Sequence, residues 1–125
     1  MGMADELTAL VVDDEPGVSS LLATVLKREG FVTDSVPTTA EGIARLTNRN
    51  YSVVLTDLNQ TPTGVEVYNL AKSRGMNAYI LTGGSTDEIM ELARQTAGEY
   101  LIGKPFQVGD MIGILRRIKE RLPQS

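Results

Sequence analysis

The sequence predicts an α/β domain, a doubly wound (βα)5 chain whose five-stranded parallel sheet carries helices on both faces. Three observations predict it. Short apolar runs alternate five times with segments of helical periodicity along the 125 residues. The strand runs are almost continuously apolar, as expected for a parallel sheet covered on both sides. No linker, low-complexity segment or internal repeat breaks the pattern, and the length suits one domain with a substantial core. Right-handed crossovers then leave few topologies.

Taken in order, Thr8–Val12 is the first strand and ends at Asp13-Asp14. A helix follows, with Pro16 in its tolerant first turn, Val18, Leu21, Leu22, Val25 and Leu26 at helical spacing, and Gly30 as its stop. Phe31–Val36 is the second strand. Thr38 or Thr39 caps the next helix, which carries Ala40, Ile43, Ala44 and Thr47, and Glu41 stands at the capping-box offset from Thr38. Tyr51–Asp57 is the third strand, Gly64–Arg74 a helix closed by Gly75, and Asn77–Thr82 the fourth strand. Thr86–Ala97 forms the fourth helix, with Ile89, Leu92 and Ala93 inward. Tyr100–Gly103 is a short fifth strand. Val108, Met111, Ile112, Leu115, Ile118 and Leu122 mark the last helix. The domain spans residues 7–122, with a 1–6 extension and a 123–125 tail.

Composition removes several chemistries. There is no cysteine, histidine or tryptophan. Disulfides, thiolate nucleophiles, Ser-His-Asp triads and His- or Cys-bound metals are therefore excluded. Any metal is a hard cation on oxygen ligands. With 16 acidic and 12 basic residues the net charge is −4, which disfavours a nucleic-acid binder. No apolar run reaches the ~18 residues of a membrane span, and the N-terminus lacks a signal-peptide pattern. A cytoplasmic protein with no membrane or direct nucleic-acid partner is the expectation.

Ligands of open parallel sheets sit beyond the carboxyl ends of the strands. Those ends read Asp13-Asp14-Glu15, Asp57, Thr82-Gly83-Gly84-Ser85-Thr86 and Lys104-Pro105. Taken singly, each has a structural use. Asp14 or Glu15 caps a helix, Asp57 caps a turn, Thr82 or Ser85 caps the fourth helix, and Lys104 is a solvated lysine. Taken together, they converge at one edge, where neighbouring carboxylates repel unless positive charge lies between them. Lys104 and an all-oxygen Mg²⁺ site would supply that charge. A carboxylate there can act as a nucleophile toward phosphorus, with Lys104 and the metal neutralising the transferring phosphoryl group. The Thr82 hydroxyl and Gly83 N–H are further donors.

With these residues in place, the chain resembles the receiver domain of two-component response regulators, a flavodoxin-like architecture, over Leu7 to about Leu122. The motifs are Val11-Val12-Asp13-Asp14-Glu15-Pro16, Val53-Val54-Leu55-Thr56-Asp57, Ile80-Leu81-Thr82-Gly83 and Lys104-Pro105-Phe106. The resemblance implies that Asp57 accepts a phosphoryl group from a phosphohistidine of a sensor histidine kinase or phosphotransfer protein. It implies Mg²⁺ on Asp13, Asp14, Asp57 and the main-chain carbonyl of Asn59. It also implies a mobile Thr82, a phosphoryl-pairing Lys104 and a cis Lys104-Pro105 peptide. Phosphorylation would add nearly two negative charges and bias the Thr82–Gly83 loop and the face of helix four, strand five and helix five. Output would go to a downstream protein or effector domain, with a homodimer through that same face as an option. The domain would be a signalling module, with self-catalysed phosphorylation and dephosphorylation at most.

Three departures accompany the resemblance. The loop Leu58-Asn59-Gln60-Thr61-Pro62-Thr63-Gly64 has its proline five and its glycine seven residues after Asp57, against four and eight in the family. A different loop path is expected around Asn59. Gly83 replaces a common alanine, which loosens the switch loop. The aromatic usually found three residues before the lysine is Leu101 here, with Tyr100 one residue earlier. Either Leu101 replaces the aromatic or the strand carries a bulge, because a one-residue offset reverses the face. Met90, Leu101 and Ile114 look surplus to the core and mark a possible partner patch. Arg116, Arg117, Lys119 and Arg121 complement the last helix's dipole.

Three other readings compete. A pseudo-receiver would keep the fold without phosphorylation. An aspartyl-phosphate phosphohydrolase would need an acid/base where Asn59 stands. A flavodoxin-like cofactor binder would use the Thr82–Thr86 run to cradle phosphate.

Overall fold

The computed structural model describes residues 6–58, 64–83 and 87–122, with positions 89 and 99 described by backbone only. The elements run β1 (Thr8–Val12), α1 (Pro16–Arg28), β2 (Val32–Val36), α2 (Thr39–Asn48), β3 (Val53–Asp57), α3 (Gly64–Ser73), β4 (Asn77–Thr82), α4 (Asp87–Ala97), a 3₁₀ turn at Gly98–Tyr100, β5 (Leu101–Gly103) and α5 (Val108–Arg121). All pairings are parallel, in the order β2-β1-β3-β4-β5. The predicted doubly wound five-stranded sheet is thus present. The second and third strands begin one and two residues later than expected. Tyr100 lies in the 3₁₀ turn, outside the fifth strand.

Alternation along the strands divides the interior in two. Leu10, Val12, Val54, Ala78 and Ile80 face Leu46 of α2, Val67, Tyr68 and Ala71 of α3, and Ala93 and Ala97 of α4. Ala9, Val11, Val53, Leu55, Leu81 and Ile102 face Leu22, Val25 and Leu26 of α1 and Met111, Leu115 and Ile118 of α5. Each half is closed by helices whose apolar stripe the sequence supplies.

Helix boundaries follow local chemistry. Gly30 (φ 91°) and Gly75 (φ 78°) end α1 and α3 in left-handed conformations that other residues rarely adopt. Thr38 caps α2 by accepting the Glu41 N–H at 3.2 Å, while its hydroxyl donates to the Glu41 carboxylate at 3.0 Å. The capping pair forms, although the reciprocal bond runs between side chains.

Several residues of the predicted helical patterns lie outside the core. On α2, Ala40, Ala44 and Thr47 are exposed, and the buried residues are Thr39, Gly42 and Leu46. An ideal Cβ at Gly42 would stand 2.7 Å from Val12 Cγ2. The helix therefore meets β1 through its smallest residue, and its alanines turn outward. Leu21 (40%), Leu92 (45%) and Val108 (38%) are also exposed. On α4, Ala93 and Ala97 are buried and Leu92 falls outside their stripe; the Ile89 side chain lies outside the described residues. Conversely, Met90, Leu101 and Ile114 are half-buried and pack against the two core halves.

Candidate functional site

The sheet order changes direction between β1 and β3, and the site grows from that junction. Val12 pairs with Thr56, so the next residues, Asp13 and Asp57, leave the sheet side by side. Asp57 in turn registers with Leu81 of β4, and Thr82 registers with Gly103 of β5. The Lys104 N–H donates to the Thr82 carbonyl at 2.6 Å. Four strand ends thus deliver Asp13, Asp57, Thr82 and Lys104 to one edge, and parallel register brings them together. The Lys104-Pro105 peptide is cis.

Asp13 (3% exposed), Asp57 (2%) and Thr82 (7%) are buried, whereas Asp14 is exposed. One carboxylate oxygen from each of Asp13, Asp14 and Asp57 lies within 4.8 Å of the others, a spacing that suits a shared cation. An Asx-type turn fixes Asp13, whose Oδ1 accepts the Glu15 N–H at 2.9 Å. Ser19 of α1 donates to the Asp13 carbonyl at 3.0 Å.

Lys104 Nζ sits among the carboxylates. It donates to Asp13 Oδ2 at 3.1 Å and Glu15 Oε1 at 2.8 Å, and it lies 3.3 Å from Asp57 Oδ1. Glu15 is the member that the strand-end reading left out of the site. Its signal was present as the third acid of Asp13-Asp14-Glu15, but its use as the lysine's partner depends on a residue 89 positions away.

Electrostatics describe a site short of positive charge. Burial raises the Asp13 pKa above the ordinary 3.8, and the neighbouring Asp57 charge adds to the rise; the Glu15 N–H and Lys104 work against it without cancelling it. Burial alone would lower the Lys104 pKa. The Glu15, Asp13 and Asp57 carboxylates outweigh that effect and hold it above the usual lysine value. The ammonium is therefore a fixed charge across the physiological range. A divalent cation on Asp13, Asp14 and Asp57 would relieve the remaining repulsion, and three oxygen donors without nitrogen or sulfur suit Mg²⁺.

The glycines at the site have steric reasons. An ideal Cβ at Gly64 would lie 2.2 Å from the Asp57 carbonyl oxygen, so α3 begins directly against the backbone of β3. At Gly83 a Cβ would stand 3.1 Å from Lys104 Cβ. The expectation of a looser switch loop at Gly83 thus meets a close packing partner. Asn59, the expected carbonyl ligand, lies outside the described residues, as do Gly84, Ser85 and Thr86.

On the neighbouring face, β5 pairs with β4 in continuous register, Ile80 with Leu101, Leu81 with Ile102 and Thr82 with Gly103. There is no bulge, so Leu101 occupies the position three before the lysine. Tyr100 packs edge-on against Tyr79 (centroids 5.4 Å apart, 76°), with the Lys72 ammonium 4.5 Å from its ring centroid. Leu101 and Tyr100 thus stand apart in role: one extends the strand, and the other closes the seam toward α3.

A cleft of about 400 Å³ opens onto this edge, lined by Glu15, Val18, Gly83, Lys104 and Pro105. Among the described residues, no helix is long and apolar enough to cross a membrane.

Comparison with known proteins adds to this geometry. The family model described as the response regulator receiver domain matches residues 9–116. The transcriptional regulatory protein ResD of Bacillus subtilis (strain 168) is 28% identical over 128 residues, covering 100% of this chain and 53% of its own length. The chain spans about half the length of the first curated relatives it matches. Among solved structures, a response regulator receiver protein from Sinorhizobium medicae WSM419 superposes with a TM-score of 0.80 at 22% identity, over 94% of this chain and 97% of the other. The receiver domain of sensor histidine kinase PA1611 from Pseudomonas aeruginosa PAO1 gives 0.76 at 18% identity, over 92% and 99%. That structure has a magnesium ion coordinated in its active-site cleft. At these identities the solved structures establish the shared fold.

Proposed function

Since this chain belongs to the response regulator receiver domain family, we propose that Asp57 is its phosphoacceptor and that Asp13, Asp14, Thr82 and Lys104 serve the transfer. The observation carrying this reading is the Asp13–Asp14–Asp57 carboxylate triple with the Lys104 ammonium 3.1 Å from Asp13 and 3.3 Å from Asp57. A carboxylate oxygen of Asp57 attacks the phosphorus of a phosphohistidine. The P–N bond breaks as the O–P bond forms, and the departing imidazole nitrogen keeps the electron pair and takes a proton.

Asp13, Asp14 and Asp57 would hold Mg²⁺, with the Asn59 carbonyl as a further ligand; when bound, the ion neutralises charge on the phosphoryl oxygens. Lys104 supplies a fixed positive charge on the same oxygens. The Thr82 hydroxyl and the Gly83 N–H donate to them, and that pull shifts the loop after β4 and the α4/β5/α5 face, including Leu101 and Tyr100. Because Asp57 is consumed stoichiometrically, the domain acts as a signalling module rather than a turnover enzyme. Its donor is a sensor histidine kinase or a phosphotransfer protein in the cytoplasm, and its output is a protein target, an effector domain or a second copy.

Incubation with acetyl phosphate and Mg²⁺, followed by intact-mass analysis, tests the assignment. One phosphoryl group per chain is expected, lost in Asp57→Ala and on chelation of Mg²⁺. Modification that survives Asp57→Ala would sink the acceptor assignment, and an unmodified wild type would favour a phosphorylation-independent interaction domain.

A further inference from the structure

An ammonium group has three N–H donors. At Lys104 three carboxylates already lie within 3.3 Å of Nζ, those of Asp13, Glu15 and Asp57. Asp13 and Glu15 accept hydrogen bonds from Nζ, and a phosphoryl oxygen on Asp57 that draws the ammonium toward itself competes with both. The Asp13 side chain is fully buried, and Asp57 carries the phosphoryl group itself. The Glu15 side chain is 59% exposed and recovers its hydration when released. Its loss is therefore the least costly, although its contact is the shortest at 2.8 Å.

Resting on the phosphoacceptor reading above, we propose that Glu15 is a positioning residue: its carboxylate is the counter-ion that holds Lys104 at the cleft until the phosphoryl group displaces it. Glu15 also lines the cleft that opens beside Lys104. Its charge thus opposes occupancy of the site twice, by engaging the lysine and by repelling an incoming anion. Glu15 sets how readily the acceptor is filled without touching phosphorus. Its backbone N–H to Asp13 is a separate, structural contribution that side-chain substitutions leave in place.

The test uses beryllofluoride, whose beryllium becomes tetrahedral on taking a carboxylate oxygen and so mimics a phosphoryl group, titrated by calorimetry at saturating Mg²⁺. Glu15→Gln is expected to bind it about 2–5-fold more tightly than the wild type, the range spanned by an exposed ion pair. Glu15→Asp, which keeps a negative charge beside the lysine, is expected to return the affinity toward wild type. Unchanged or weaker binding in Glu15→Gln overturns the positioning role, as does a Glu15→Asp variant that binds as tightly as Glu15→Gln. A wild type that binds no beryllofluoride overturns the phosphoacceptor reading instead.

Discussion

A methyl group at position 64 would collide with the Asp57 carbonyl oxygen at 2.2 Å, and backbone cannot swing aside as a side-chain tip can. Gly64→Ala therefore has to move the strand end that carries Asp57. We expect it to cost about 1–3 kcal/mol of stability, the usual range for overpacking, and to slow phosphorylation of Asp57. Gly113→Ala is the matched control, since a Cβ there meets nothing within 4 Å and helix propensity improves. Denaturant midpoints and acetyl-phosphate kinetics that do not separate the two variants would remove the steric argument. Most of the site was legible at this scale. Asp13, Asp57, Thr82 and Lys104 could be picked from the sequence because strand ends are visible in it. Glu15 was visible as an acid but not as the partner of Lys104, because no local pattern records which cation a surface carboxylate meets.

Element faces were read less well than element positions. The α2 pattern of Ala40, Ile43, Ala44 and Thr47 did not single out its buried face, because hydropathy ranks alanine above glycine, whereas contact with β1 selects Gly42, the residue that leaves room for Val12. At β5 the two open alternatives were resolved by register, which places Leu101 opposite Ile80 without a bulge. The helix pair α1/α5 shows an interaction with a pH signature. Glu29, just past α1, accepts hydrogen bonds from Lys119 at 3.1 Å and Arg116 at 3.2 Å. These bonds, Lys119 first, lower the Glu29 pKa below its ordinary 4.5. A depressed folded-state pKa stabilises the fold above 4.5 and loses that effect as pH falls through the folded value. Glu29→Gln should therefore melt below wild type at neutral pH, with the gap closing as pH drops under 4.5. A melting gap that stays constant with pH would mean that charge is not what Glu29 contributes.

For the whole molecule, the notable feature is a like-charged cluster at the sheet's carboxyl edge. Asp13, Asp14 and Asp57 come within 4.8 Å of one another only once the chain is folded, so Mg²⁺ binding there would be linked to folding. At a concentration about 100-fold above its Kd, Mg²⁺ should add about 2.7 kcal/mol of stability. Thermal melts with and without Mg²⁺ would show it as a raised midpoint, abolished by Asp14→Asn, a change at the exposed member of the carboxylate triple that leaves the core intact. A midpoint indifferent to Mg²⁺ would argue against the metal site.

Alternating apolar runs and helical stripes determined the (βα)5 class, because burial on both faces of a parallel sheet requires that pattern whatever the partners. Strand-ending polar residues determined where chemistry would gather, because such sheets present their carboxyl ends to ligands. Tertiary structure alone decided the rest: that Asp13 leaves the sheet beside Asp57, that α2 lies down on its glycine, and that Lys104 is shared among three acids, the exposed Glu15 among them. Those outcomes depend on register and on contacts between residues dozens of positions apart. Local periodicity carries no information about them.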